Sequence, residues 1–158
     1  MRPKPFIPEA QADQRYARDQ TTGLMYHRVH HRVLYADTDR SGVVYHANYF
    51  RYFELGRASF MRDVGFPYAE VEASGIIYPI VELGLKYYRP LVYDDAMWVH
   101  TRPADLERVR VKFDYVITHI DSGELVCRGF TQHCAANERG VPVAVDPITV
   151  NAWKNFPE

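Results

Sequence analysis

Two carboxylates, a serine and a glycine stand together at Asp37-Thr-Asp39-Arg-Ser41-Gly42. The residues that follow, Val43-Val-Tyr45-His46-Ala-Asn-Tyr49-Phe, lead into an apolar pattern with helical spacing. Short oxygen-bearing side chains of this kind satisfy loose backbone donors in turns and at helix starts. Gly42 admits a positive φ and lets the backbone approach another group closely. A carboxylate is thereby set beside the positive end of a helix, where unpaired N–H groups face the same way. A charged group held beside free donors in this way is a chemically suggestive arrangement. A strand-to-helix turn capped by aspartates explains the same residues without chemistry.

Metal binding is a weaker reading of this stretch. Asp37-x-Asp39-x-Ser41-Gly42 matches the first half of a calcium loop, but the twelfth position is Asn48 instead of Glu, and the preceding residues alternate like a strand. His27, His30 and His31 also invite a metal. Only His27 and His31 share a strand face, and no cysteine or nearby carboxylate completes a set, so exposed or cross-strand roles are expected and no metal site.

The elements that position these residues follow from periodicity. Residues 1–23 carry Pro3, Pro5 and Pro8 and then a polar stretch, and are expected to be a flexible arm, with a short helix over Ala10–Asp19 as the ordered alternative. Leu24–Ala36 reads as a strand with Val29, Val33 and Tyr35 on one parity. A helix from Tyr45 to Val64 is apolar or small around most of its girth, which marks a buried central helix. Glu54 and Arg57 lie one turn apart on it and are expected to pair. Gly65-Phe-Pro67 ends it, and a loop spans Tyr68–Gly75. Strands are then expected at Ile76–Arg89 (broken near Pro79), Ala96–Arg102, Val109–His119 and Leu125–Ala136. The last two join at the turn Asp121-Ser-Gly-Glu124, and Asp146-Pro-Ile starts a closing helix through Trp153. One strand, one long helix and four strands with short turns imply an α+β fold, an antiparallel β-sheet wrapped around one long central helix, in a single domain over 24–158.

Composition narrows the partners. A formal charge of −1 over 158 residues, without a basic run, argues against nucleic acid and anionic lipid. No apolar run reaches the length of a membrane span, and the N-terminal residues lack a signal-like hydrophobic region. Cys127 and Cys134 fall on one expected strand, about 23 Å apart on opposite faces, and cannot bridge each other. A reducing, cytoplasmic setting fits them. Twelve tyrosines and eight phenylalanines suit an aromatic-lined pocket or extensive interfaces.

Asp39-Arg-Ser-Gly-Val-Val-Tyr-His-Ala-Asn-Tyr-Phe50 resembles the signature of the 4-hydroxybenzoyl-CoA thioesterase family of hotdog-fold proteins, and the likeness runs from about Tyr26 to Phe156. The resemblance implies the hotdog fold and hydrolysis of an acyl-CoA, with a short or medium-chain or aromatic acyl group, to free acid and CoA. It implies Asp39 as nucleophile or general base, His46 as a second catalytic group, and the backbone N–H groups of His46 and Tyr45 as the oxyanion hole. It also implies a homodimer or homotetramer with sites between subunits, and no cofactor. Gly42, Tyr49, Tyr78, Tyr87, Arg89 and Lys112 are the substrate-binding candidates, the tyrosines for the acyl group and the cations for CoA phosphates. Asp37 is expected to shape the turn. Glu54 is the acidic residue that another branch of these proteins would use, set aside because Asp39 fits the signature. Two alternatives compete: a hydratase or dehydratase, whose His-x-x-x-x-Pro-Gly motif is missing, and an acyl-CoA-binding protein without activity, which would lack the Asp39 carboxylate or carry a DNA-binding extension more basic than residues 1–23.

Overall fold

The computed structural model describes residues 2–158. Its strands are β1 (Pro8–Ala10), β2 (Tyr16–Asp19), β3 (Met25–Arg32), β4 (Ile80–Tyr87), β5 (Ala96–Leu106), β6 (Arg110–His119) and β7 (Leu125–Cys134). They form one sheet in the order β1-β2-β3-β5-β6-β7-β4, and every pairing is antiparallel. The helices are α1 (Asn48–Asp63), α2 (Tyr68–Ala73) and α3 (Pro147–Asn155).

Helix α1 lies on one face of the sheet because its apolar residues recur at helical spacing. Tyr49, Tyr52, Phe53, Gly56, Phe60 and Met61 are its buried side. Phe53 stacks on Tyr115 of β6 with centroids 4.4 Å apart, and Phe60 packs edge-on against Phe113 and Phe66. Burying a side chain of this size contributes about 1.5–3 kcal/mol. Gly56 sets the distance between layers: a Cβ there would come within 2.6 Å of both Val99 and Thr101. The opposite side of α1, with Arg51, Glu54 and Arg62, is exposed.

Pro79 interrupts the strand as its missing N–H requires. Ile77 bridges Ala136 on one side of it, and β4 begins at Ile80 on the other. Asp146 caps α3 by accepting from the Thr149 N–H, with proline at the first helical position. Strand β5 runs on past the expected Arg102, through a register shift at Pro103. The segment expected to be a loop after Pro67 instead holds α2, whose Val71 is buried.

The N-terminal residues depart most from expectation. Residues 8–19 are a β-hairpin, neither a flexible arm nor a helix, and add two strands to the free edge of β3. Asp19 organises the turn that returns to the sheet, accepting from the N–H groups of Ile7 and Thr21 and from the hydroxyls of Thr21 and Thr22. Upstream, Phe6 crosses to the outer face of the sheet and packs on Tyr26, His100 and Val116. Arg128 donates to the carbonyl of Lys4 at 2.6 Å and to that of Pro5. Prolines that forbid regular structure still permit a strap, since its hydrogen bonds come from side chains.

Candidate active site

The stretch between β3 and α1 is built around Asp37. Its carboxylate, 2% exposed, accepts from the Leu34 N–H at 3.1 Å, the Tyr52 hydroxyl at 2.9 Å and Arg51 at 3.4 Å. Its carbonyl accepts from the Tyr45 N–H at 2.9 Å and the Asn48 amide at 2.9 Å. Burial, and the Asp37 acceptor, push the Tyr52 phenol far above its ordinary value. Asp37 is therefore the structural carboxylate, as its position in the sequence suggests.

Asp39 stands differently. The bridge between Thr38 and Val44 closes a tight loop, with the Asp39 N–H donating to Val43 and its carbonyl accepting from Gly42. Gly42 has φ +82 and open space where a Cβ would be, so the turn needs glycine for its backbone angle and not for room. One carboxylate oxygen of Asp39 accepts from the Ser41 N–H at 2.7 Å, and its other oxygen has no protein partner among the described residues. The side chain is half-buried.

Helix α1 begins at Asn48, three residues later than the periodicity suggests, and its N-cap is Ala47, which has no side chain to cap it. None of Asp37, Asp39 or Ser41 caps the helix. Of the two expected oxyanion donors, Tyr45 is excluded, since its N–H is given to Asp37. The His46 N–H has no acceptor among the described residues. The His46 imidazole is exposed and lies against the Tyr45 ring at 4.4 Å.

The other expected residues divide. Tyr87, at the end of β4, donates its hydroxyl to the His46 carbonyl at 2.6 Å and packs edge-on against Tyr49. Tyr49 is buried, which pushes its phenol up to about 12. Asp39, Gly42, His46, Tyr49 and Tyr87 thus gather at one end of the molecule. Arg89 leaves that end, but Ser122 and Glu124 of the β6–β7 turn hold it. Lys112 lies over the Phe130 ring, on a strand position of opposite parity to the helix-facing Val111 and Phe113. Tyr78 is on the far side of Pro79 from Tyr87 and donates to Asp146.

Tyr78 instead lines a cavity of about 280 Å³ beside the later turns of α1, together with Glu54, Arg57, Met61, Phe113 and His133. The expected Glu54–Arg57 pair does not form. Arg57 turns to the sheet and donates to the Tyr115 hydroxyl at 3.1 Å, because a half-buried guanidinium beside β6 finds a buried acceptor there. Sequence reasoning missed this cavity and the residues behind it, Thr131 and His133. Their alternation on β7 shows that they share a face, but not which face meets the helix. His27 also finds a carboxylate that its own strand does not supply, Asp63 of α1 at 2.7 Å.

A family model described as the thioesterase-like superfamily matches residues 33–150, which includes the Asp39 loop, α1 and the four strands of β4–β7. The chain belongs to this family. Among curated relatives of this thioesterase-like chain, YneP of Bacillus subtilis is 36% identical over 112 residues, covering 70% of this chain and 80% of that one. The 1,4-dihydroxy-2-naphthoyl-CoA hydrolase of Thermosynechococcus vestitus is 31% identical, covering 80% and 87%. Among solved structures, a DHNA-CoA thioesterase from Staphylococcus aureus aligns with a TM-score of 0.77 at 31% identity, over 82% of this chain and 89% of that one. The antiparallel sheet around one long helix is the hotdog fold of this family. No helix among the described residues is long and apolar enough to cross a membrane.

Proposed function

We propose that this thioesterase-like protein hydrolyses the thioester of an acyl-CoA, with Asp39 as nucleophile or general base and the His46 N–H as oxyanion donor. The observation that carries the reading is the pair of unmet groups at one helix start: a carboxylate oxygen without a protein partner, and an N–H without an acceptor, beneath a helix that nothing caps. An attacking carboxylate or water needs the first, and the oxygen of a tetrahedral intermediate needs the second. A thiolate leaves readily, so no dedicated acid is required. The His46 imidazole orients water or the thioester carbonyl, and Tyr87 fixes the His46 peptide by its hydrogen bond. Gly42 and Tyr49 shape the same end. Arg89 and Lys112, engaged elsewhere, are not part of this reading. A reducing, cytoplasmic setting suits Cys127 and Cys134, both free.

The functional unit of this reading is a homodimer joined through β4, and a homotetramer would be a pair of such dimers. Eight residues of β4 form an open sheet edge, with Ile80, Val81, Leu83 and Tyr87 all exposed. A long apolar edge of this kind is a template for another strand. A two-fold axis through the middle of β4 would lay Tyr87 of one copy beside Ile80 of the other. Tyr87 touches the helix start and Ile80 lines the cavity. The reacting groups of one copy would thus face the cavity of the second copy.

Thiol release from a panel of aliphatic and aromatic acyl-CoAs tests the activity, and none from any of them would sink it. Subunit mixing tests the arrangement. Asp39→Asn and a cavity-filling Ala58→Trp should each be inactive alone, yet their mixture should recover about a quarter of normal activity, one good site in half of the dimers. No recovery in verified heterodimers would place both halves of the site in one chain.

A further inference from the structure

A second cluster of reactive groups stands at the β6–β7 turn, where the sequence reads Asp121-Ser122-Gly-Glu124. His119, the last residue of β6, is 7% exposed, whereas Ser122 is open to solvent. The Nδ1 of His119 lies 3.1 Å from the Ser122 backbone N–H, which can only donate, so this nitrogen is the bare one. The Ser122 hydroxyl donates to the same nitrogen at 2.9 Å. The ring proton is then on Nε2, and a carboxylate oxygen of Asp95 stands 3.3 Å from that atom. The other Asp95 oxygen accepts from the Val92 N–H at 2.9 Å, which fixes the carboxylate. The Ser122 oxygen accepts from Arg89 at 2.6 Å and from the Glu124 N–H at 3.2 Å, so its own proton is left to point at the imidazole.

The hairpin does not require this arrangement. Gly123, with φ +71, makes the turn and closes it by giving its N–H to the His119 carbonyl. A hydroxyl facing a bare imidazole nitrogen, with a carboxylate behind the ring, has the parts and the order that activate a serine. Arg89 and the Glu124 N–H stay on the oxygen after its proton has gone, and stabilise the alkoxide. The second amino group of Arg89 has no partner among the described residues and is the donor available to a carbonyl oxygen. Once protonated, His119 can give its proton to a leaving group. An alkoxide or phenoxide needs that acid and a thiolate does not, so the cluster suits an oxygen ester. Its place on an exposed turn suits a short acyl group.

We propose that Ser122 is the nucleophile of a second site, independent of Asp39, which hydrolyses small oxygen esters through an O-acyl-serine. His119 is its general base and then its general acid, Arg89 its oxyanion donor, and Asp95 the positioning residue behind the imidazole. The Ser122 oxygen bonds to the ester carbonyl carbon as its proton passes to His119 Nδ1. The bond from that carbon to the alcohol oxygen breaks, and the alcohol leaves with the proton. Water then adds to the acyl-serine in the same way. Its proton passes through His119 to the Ser122 oxygen, and the free acid departs.

The test uses diisopropyl fluorophosphate, which phosphorylates activated serines, read by intact mass and peptide mapping, with 4-nitrophenyl acetate as the ester. Wild-type protein should take up the diisopropyl phosphoryl group on Ser122 about 100-fold faster than on any other hydroxyl, and about 100-fold faster than Ser122 does in His119→Gln, the scale of a general base. Ser122→Ala should not be labelled at the turn and should lose most of its 4-nitrophenyl acetate hydrolysis, while thiol release from acyl-CoA stays at the wild-type rate. Asp39→Asn should keep both the labelling and the ester hydrolysis. Asp95→Asn should lower kcat for the ester by about 10²-fold with KM kept, and gives the same reading if His119→Gln does not fold. Wild-type protein unlabelled at Ser122, labelling there that is as fast without the imidazole, or equal loss of ester hydrolysis and thiol release in Ser122→Ala would each overturn the assignment.

Discussion

The two edges of the sheet are built to opposite ends. At one, β1 is three residues long, begins with Pro8, and belongs to a hairpin tied down by Asp19. Shortness and proline both blunt an edge against further pairing. At the other, β4 offers eight residues with apolar side chains on both faces and only Glu82 and Lys86 as charges. In the proposed dimer the bare edge is the one that pairs, and the candidate site lies against it. The same asymmetry holds along α1. Its uncapped start keeps donors open, while the hydrogen bonds behind its later turns are satisfied before anything binds.

The largest effect should come from making the bare edge resemble the blunt one. Val81→Lys with Leu83→Lys would set like charges against each other across the two-fold axis. The protein should then run at the monomer mass of 18.4 kDa with no measurable turnover. Full activity at that mass would remove the reason to join edge and site. Asp39→Asn separates chemistry from assembly. It preserves size and the Ser41 contact, so mass and melting should be unchanged while turnover falls by roughly 10²–10⁴-fold. His46→Ala leaves the backbone N–H in place and should cost only about 10-fold. If Glu54→Gln were the inactivating change and Asp39→Asn mild, the carboxylate would belong to the helix.

At the blunt end the expectation concerns stability. Phe6→Ala uncovers Tyr26 and Val116, and should lower stability by about 3 kcal/mol, or roughly 6–12 °C in Tm for a chain of this size, with dimer mass and kcat kept. Loss of the dimer in that variant would tie the two edges together. The smallest effect is a matter of pH. Burial lowers the His133 imidazole to about 4 and the His100 imidazole to about 3, from 6.5 in the unfolded chain. Both remain neutral when folded but take up protons when unfolded, so their contribution is complete above pH 6.5. It is lost as pH falls toward 4 and 3, by at most about 1.4 kcal/mol per unit for each. Thermal melts between pH 7 and 4 should show this slope, shallower in His133→Gln. A flat profile would mean that neither histidine is buried neutral.

Much of this was legible in the order of residues. Turn chemistry is local, so Gly42, Gly65, Pro79 and Asp146-Pro147 mark their boundaries directly, and the alternation of Val111, Phe113, Tyr115 and Ile117 fixes the inward face of β6. The hairpin at residues 8–19 was not legible, since its polar composition resembles an unpaired arm and only the free edge of β3 gives it structure. Nor was the partner of Arg57. Helical spacing offers Glu54, three residues away, but the buried hydroxyl that wins is 58 positions along the chain. The site divides along the same line: Asp39 and His46 sit within one signature, whereas the cavity is assembled from five separate segments.

The strap over the outer face has one more consequence, in the order of events during synthesis. Lys4 reaches its hydrogen-bond partner Arg128 across 124 residues, and Phe6 rests on Val116. Neither partner exists until most of the chain has been made, and contacts so distant in sequence are closed slowly. Lys4 and Phe6 are thus made well before the residues that hold them, and are among the last to find their place. Until β6 and β7 have been made, the Phe6 ring lacks most of the surface that covers it and stays in water.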